Sequence, residues 1–285
     1  MQAPHIITSM GDGVKIHLAE WSGREPTILC IHGITANCRC WDVIASGLAP
    51  DCRVLAMDLR GRGRSDKPAT GYSVEQHGRD ILALLEDLKL QRPVLMGHSL
   101  GAFIALAFAA HHSDRVDRLI LVDGGGDLSK EQMDKVFAGI KPSLDRLKEV
   151  FPSTEAYVET MKQAPYIQPW SPFLETYYRW EIMEVPNNGV RTNIDPVHID
   201  EEAANVKKMA AASLYPKIGC KVLILRATKG LLALDDILLP EQVVKRMASE
   251  MPHARYVDID GVNHYGIVFQ PNRFRDEAIR AFLKE

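Results

Sequence analysis

Gly97-His98-Ser99-Leu100-Gly101 stands between an apolar run, residues 93–96, and an alanine-rich helical run, residues 100–110. A serine is thereby placed on a strand-to-helix turn, the G-x-S-x-G nucleophile elbow. The turn forces strained backbone angles on the serine, and the glycines, lacking Cβ, let strand and helix approach closely. Ser99 is expected to present its hydroxyl outward at a helix N-terminus, where the backbone N–H of Leu100 serves as a donor to a developing negative charge. A turn serine with only a structural role needs no partners elsewhere in the chain. Here several other segments supply them.

Outward from this pentapeptide, short β-rich runs alternate with helical patterns. Strands are expected over residues 5–8, 14–21, 27–31, 53–58, 93–97, 118–123, 221–226 and 254–258. Such alternation specifies an α/β fold with an eight-stranded, mostly parallel sheet flanked by helices. Asp12-Gly13 marks a hairpin turn between the first two strands. Ser73-Val74-Glu75-Gln76 reads as a capping box opening a helix whose apolar face is Val74, Ile81, Leu84, Leu85 and Leu88. After Asp123 the regularity breaks: seven prolines fall between positions 142 and 196, helical patterns are short and the strand signal disappears until Lys221. Residues 124–215 are therefore expected to form a helical cap inserted into a core domain made of residues 1–123 and 216–285.

Composition narrows the function. The chain of 285 residues is 46% hydrophobic, enough for a large core, and carries a formal net charge of −3 with dispersed lysines and arginines. No basic stripe suits nucleic acid, so a small neutral substrate is the default. No apolar run approaches a membrane span, and the first residues lack the basic and apolar regions of a signal peptide, so a cytoplasmic location is expected. The five cysteines, Cys30, Cys38, Cys40, Cys52 and Cys220, are odd in number and read as reduced, partly buried thiols. Cys38-x-Cys40 has the wrong span for zinc, and no metal site is expected. The sequence sets no oligomeric state.

Three further segments follow expected strands: His32-Gly33-Ile34, residues 58–65 (Asp-Leu-Arg-Gly-Arg-Gly-Arg-Ser) and Gly261-Val262-Asn263-His264-Tyr265. Together with the elbow they resemble the α/β-hydrolase superfamily, over the whole chain except the cap. A serine hydroxyl is a poor nucleophile at neutral pH and needs a base; the resemblance places that base at His264, after the last strand. It also implies Ile34, just after His-Gly, as a second oxyanion donor beside Leu100. Arg60, Arg62 and Arg64 alternate with glycine, which marks a tight turn with solvated arginines beside Asp58 and Asp66.

The acid of the triad departs from the commonest pattern. Most relatives carry an aspartate in a G-x-x-D run after the seventh strand, where this chain has Ala227-Thr228-Lys229-Gly230. Asp235 and Asp236 lie further along, and Asp236 precedes Pro240 by four residues, as in many relatives. The alternative is Asp123, at the end of the sixth strand and 24 residues past Ser99. That arrangement looks like the haloalkane dehalogenases, whose acid sits on the sixth strand. Asp123 is preferred because a strand end holds a carboxylate more firmly than a long loop does; Asp236 stays as the alternative.

Eight of the twenty Phe, Trp and Tyr residues lie between Phe151 and Trp180. Phe173, Tyr177 and Trp180 recur at helical spacing after a Ser171-Pro172 start signal and are candidates for the substrate pocket. The expected activity is that of a serine hydrolase of carboxylic esters or lactones, acyl-homoserine lactones included, which needs no cofactor. Carbon–carbon bond hydrolysis and slow-turnover ligand perception are the alternatives from the same fold. Dehalogenase and epoxide hydrolase chemistry need aspartate where Ser99 stands.

Overall fold

The computed structural model describes residues 3–186, 189–232 and 236–285. Strands β1 (His5–Met10), β2 (Lys15–Trp21), β3 (Thr27–Ile31), β4 (Arg53–Met57), β5 (Val94–His98) and β6 (Arg118–Val122) precede a short ribbon, β7 (Ile182–Val185) and β8 (Gly189–Thr192). Strands β9 (Lys221–Ala227) and β10 (Ala254–Ile259) complete the set. Eight of them form one sheet in the order β1-β2-β4-β3-β5-β6-β9-β10. Only β2 runs antiparallel to its neighbours; all pairs from β4 to β10 are parallel.

The period of two along each strand accounts for the layers. Ile28, Cys30, Val54, Ala56, Val94, Met96, Ile120 and Val122 face one hydrophobic cluster. Leu29, Ile31, Leu55, Met57, Leu95, Leu119 and Leu121 face the other. A strand buried on both faces reads as a continuous apolar run, which is what residues 28–31 and 119–122 are.

Helices α1 (Asp42–Leu48), α2 (Val74–Asp87) and α3 (Leu100–His111) lie within the first six strands. Helices α4 (Lys130–Gly139), α5 (Lys141–Asp145), α6 (Thr154–Lys162), α7 (Pro172–Trp180) and α8 (Pro196–Val206) lie between β6 and β9. Helices α9 (Glu241–Glu250), α10 (Gly266–Phe269) and α11 (Arg273–Leu283) follow.

Helix α2 starts as expected, with the Ser73 hydroxyl accepting from the Gln76 N–H at 3.2 Å. The return half of that box is replaced: the Gln76 side chain bonds Asp12 and Arg79 instead. A complete box, Ser129 with Gln132, opens α4, which sequence patterning had passed over.

The expectation of no strand in residues 124–215 is corrected by the β7–β8 ribbon, paired antiparallel from Ile182↔Thr192 to Val185↔Gly189. Its strands are four residues long and carry Glu184 and Arg191, so no alternating apolar pattern announces them.

Candidate active site

In a parallel sheet the carboxyl ends of the strands fall on one edge, and the crevice outside them is where side chains from distant segments can meet. His98 of β5 pairs with Val122 of β6, so Ser99 and Asp123 leave neighbouring strands side by side. The Ser99 N–H donates to the Val122 carbonyl at 3.1 Å, and the Asp123 N–H to the Leu225 carbonyl of β9 at 2.7 Å. Both residues take positive φ, 56° and 46°, a left-handed backbone that costs non-glycine residues energy and clusters at working sites.

Steric demand for the elbow glycines is severe. A Cβ on Gly97 would lie 2.1 Å from the Gly101 carbonyl oxygen, and one on Gly101 would lie 2.0 Å from the Ile31 carbonyl oxygen.

His264 arrives from the loop after β10. Its Nδ1 stands 2.8 Å from Oδ2 of Asp123, and the other carboxylate oxygen accepts the Ala227 N–H at 3.0 Å. Both side chains are buried, whereas Ser99 is half-buried. Ser99 and His264 line one cavity together with Gly33 and Ile34. Leu100 and Ile34 border a second cavity that also opens at Ser99.

Asp236 is held elsewhere: its carboxylate accepts the N–H groups of Leu231 and Leu232 at 2.7 and 2.8 Å. It thus folds its own loop and is not brought to His264. Asp235 lies outside the described residues.

Two buried histidines shape this edge. His32 Nε2 accepts the Leu59 N–H at 3.0 Å, which leaves the proton on Nδ1, 2.7 Å from the Gly33 carbonyl. Burial pushes its pKa down to about 4, so the ring is neutral and ties the His32-Gly33 loop to the end of β4. The His98 ring stacks on His264 at 4.4 Å between centroids and donates from Nε2 to the His264 carbonyl at 3.0 Å. Burial, with the adjacent His264, holds His98 well below its ordinary pKa. A neutral neighbour supports the His264 ring without competing for its charge.

The segment between β6 and β9 covers the cavity, though not with all the side chains expected. Tyr177 lines it, as does Tyr178. Phe173 and Trp180 line neither cavity at Ser99. Instead the Trp180 indole Nε1 donates to Asp58 Oδ2 at 3.0 Å, and the Arg64 guanidinium lies 3.6 Å from its ring centroid. Trp180 thus pins α7 to the loop after β4. One helical turn separates it from Tyr177, yet Tyr177 and Tyr178 line the cavity and Trp180 does not.

The arginine series is corrected as well. Arg60 is buried in a two-point pair with Asp80, both distances 2.6 Å. Arg62, fully buried, donates to the Ile34 carbonyl at 3.1 Å and to Glu202 of α8 at 2.9 Å. Only Arg64 of the three is exposed.

Sequence reasoning missed Ser143, Arg146 and Tyr265 as lining residues. Ser143 Oγ and the Tyr265 hydroxyl are 2.7 Å apart, and burial pushes Tyr265 up to about 12, so it keeps its proton. Arg146 is ion-paired with buried Glu181 at 3.0 Å and donates to the Thr35 and Ser143 carbonyls. Its charge is met within the protein. The one local signal was Tyr265 beside His264; nothing in the spacing pointed to the others.

Residues 26–271 match the family described as alpha/beta hydrolase fold, and the chain belongs to that family. An uncharacterized protein of Mycobacterium tuberculosis is 44% identical over 105 residues, 37% of this chain and 31% of that protein. The 2-(acetamidomethylene)succinate hydrolase of Mesorhizobium japonicum is 33% identical over 155 residues, 54% of this chain and 55% of that enzyme. The chain therefore spans between about a third and about half the length of these curated relatives. A crystal structure of E-2-(acetamidomethylene)succinate hydrolase superposes with a TM-score of 0.84 at 24% identity, covering 99% of this chain and 100% of that one. At that identity the likeness is one of fold. No helix among the described residues is long and apolar enough to cross a membrane.

Proposed function

We propose that the chain is a serine hydrolase cleaving carboxylic esters or lactones of small apolar substrates through an acyl-enzyme, with residues 124–215 acting as its cap. The observation that carries this reading is the 2.8 Å contact between His264 Nδ1 and Asp123 at the mouth where the strained Ser99 stands. Asp123 fixes the tautomer of His264 with its proton on Nδ1 and stabilises the ring when it becomes charged. Nε2 then takes the Ser99 proton as Oγ attacks the carbonyl carbon. The resulting oxyanion is met by the Ile34 and Leu100 N–H groups, and each such donor contributes about 3 to 4 kcal/mol. His264 returns the proton to the departing alcohol. Water, activated by the same base, releases the acid.

A turnover screen with p-nitrophenyl esters and lactones tests the reading, paired with organophosphonate labelling followed by mass spectrometry. Ester hydrolysis and a single adduct on Ser99 are expected. Ser99→Ala is expected to lower kcat by roughly 10⁶ and to abolish the adduct while the melting temperature is kept. An adduct on another residue, or esterase activity that survives Ser99→Ala, rejects the assignment.

A further inference from the structure

Two cavities meet at Ser99, sharing Ile34 and Ile140 as a common wall, and they differ in chemistry. The first holds His264, His98, Arg146 and the Ser143–Tyr265 hydroxyl pair. The second runs under α4 and is walled by Phe103, Leu128, Met133, Val136, Phe137 and Leu238. Apart from Ser99 itself, none of the described side chains lining this second hollow ends in a charge or a strong hydrogen-bonding group. Its volume is about 50 Å³, well below the usual small-ligand range, so it is a narrow slot. We infer that this slot receives the acyl half of the substrate, an unbranched, uncharged hydrocarbon chain, and that the leaving group occupies the lobe containing His264. The inference rests on the serine-hydrolase reading.

Proton transfer sets the direction. In the acylation step the Ser99 Oγ–carbon bond forms and the carbon–oxygen bond to the leaving group breaks. The proton that His264 took from Ser99 passes to the departing oxygen, so no other acid or base is needed. That oxygen must therefore lie within reach of His264, which lines the first cavity and not the second. The former carbonyl oxygen is directed at the Ile34 and Leu100 amides. One substituent of the tetrahedral carbon remains, the acyl chain, and the remaining opening is the apolar slot, whose wall begins at Leu100 and Phe103 on the first turn of α3.

Solvation sets the chemistry of the chain. A methylene moved from water into such a slot favours binding by about 3- to 4-fold, whereas a carboxylate there would be desolvated with no partner. Among the described residues lining the first lobe, the guanidinium of Arg146 is already paired with Glu181.

The test is a chain-length series, acetyl to decanoyl p-nitrophenyl esters, with succinate monoester as the charged comparison, on wild type, Val136→Phe and Met133→Ala. In the wild type, kcat/KM is expected to rise about 3- to 4-fold per methylene until the slot fills, and the charged ester to fall at least 100-fold below its uncharged equivalent. Val136→Phe is expected to lower the hexanoyl-to-acetyl ratio of kcat/KM at least tenfold, and Met133→Ala to lengthen the best chain. Each ratio is internal to one protein, so a partly unfolded sample does not imitate the shift. A flat wild-type series, or ratios unchanged in both variants, overturns the slot assignment while Ser99 labelling and turnover leave the serine-hydrolase reading standing. Loss of labelling and of turnover on every ester in the wild type overturns both.

Discussion

At the scale of single residues, the chain puts strain where chemistry is expected. Ser99 and Asp123 both adopt left-handed backbone, and each is locked by a hydrogen bond to the next strand of the sheet. Asp123 uses both carboxylate oxygens, one on His264 and one on the Ala227 amide. Replacing it with an isosteric amide removes the acceptor that holds the His264 tautomer, so Asp123→Asn is expected to lower kcat by roughly 10⁴ with little change in KM. Asp236 accepts two backbone N–H groups of its own loop, and Asp236→Asn is expected to cost about 1 kcal/mol of stability while kcat stays near normal. Steady-state kinetics on the two variants decides the matter; an inactive Asp236→Asn beside an active Asp123→Asn reverses the assignment. The choice between these aspartates was open in the sequence because each lies a plausible distance from a strand end. Only the tertiary structure shows that the Asp236 loop turns back on itself.

At the scale of elements, helix α7 carries the clearest lesson. Its aromatic spacing is legible, and its start at Ser171-Pro172 is as expected, with the Ser171 hydroxyl accepting the Leu174 N–H. Which aromatic faces the cavity is not legible, since that depends on how the helix rolls against a loop more than a hundred residues away. Tyr177 points to the cavity and Trp180 to Asp58 and Arg64. Trp180→Phe keeps the ring but loses the Nε1 donor, so it is expected to destabilise the fold by about 1.5 to 3 kcal/mol while leaving the acyl-chain preference unchanged. Urea unfolding and the ester series measure the two effects separately. A shifted chain preference with unchanged stability would return Trp180 to the pocket.

At the scale of the whole molecule, the segment over the cavity and the sheet beneath it are joined by buried charge. Glu202 of α8 takes Arg62 from the loop after β4 and His77 from α2, at 2.9 and 2.8 Å. Burial alone would raise the Glu202 pKa, but His77 and Arg62 outweigh it and bring the carboxyl down to about 2. Its contribution to stability is complete above its ordinary value of 4.5 and is lost as the pH falls toward 2. His32 acts in the adjoining window. Burial lowers it from 6.5 to about 4, so between those values the unfolded chain binds a proton that the folded chain refuses. Its share, on the order of 3 kcal/mol, is present above pH 6.5 and lost by pH 4. The melting temperature is thus expected to fall steadily from pH 7 to pH 4 and again below 4.5, and Glu202→Gln is expected to flatten only the lower limb. Calorimetry across this range checks it; a melting temperature that is level between pH 7 and 4 removes His32 from the account.

Local sequence is enough for the α/β class, the eight strands of the main sheet, the strand ends that carry Ser99 and Asp123, and the loop after the last strand that carries His264. These follow from local periodicity and from glycines demanded by a single turn, and a parallel sheet gathers its carboxyl-terminal ends on one edge whatever covers them. Tertiary structure alone decided the partners that cross that edge. Arg60, Arg62 and Arg64 read as solvated in a glycine-rich run, yet two are buried, because Asp80 and Glu202 reach them from α2 and α8. The Ser143–Tyr265 pair, the Arg146–Glu181 pair and the apolar slot under α4 likewise join residues that are distant in sequence. A buried charge is tolerable only with its counter-charge in place, and a cavity wall exists only between packed elements, so neither leaves a periodic trace in the chain.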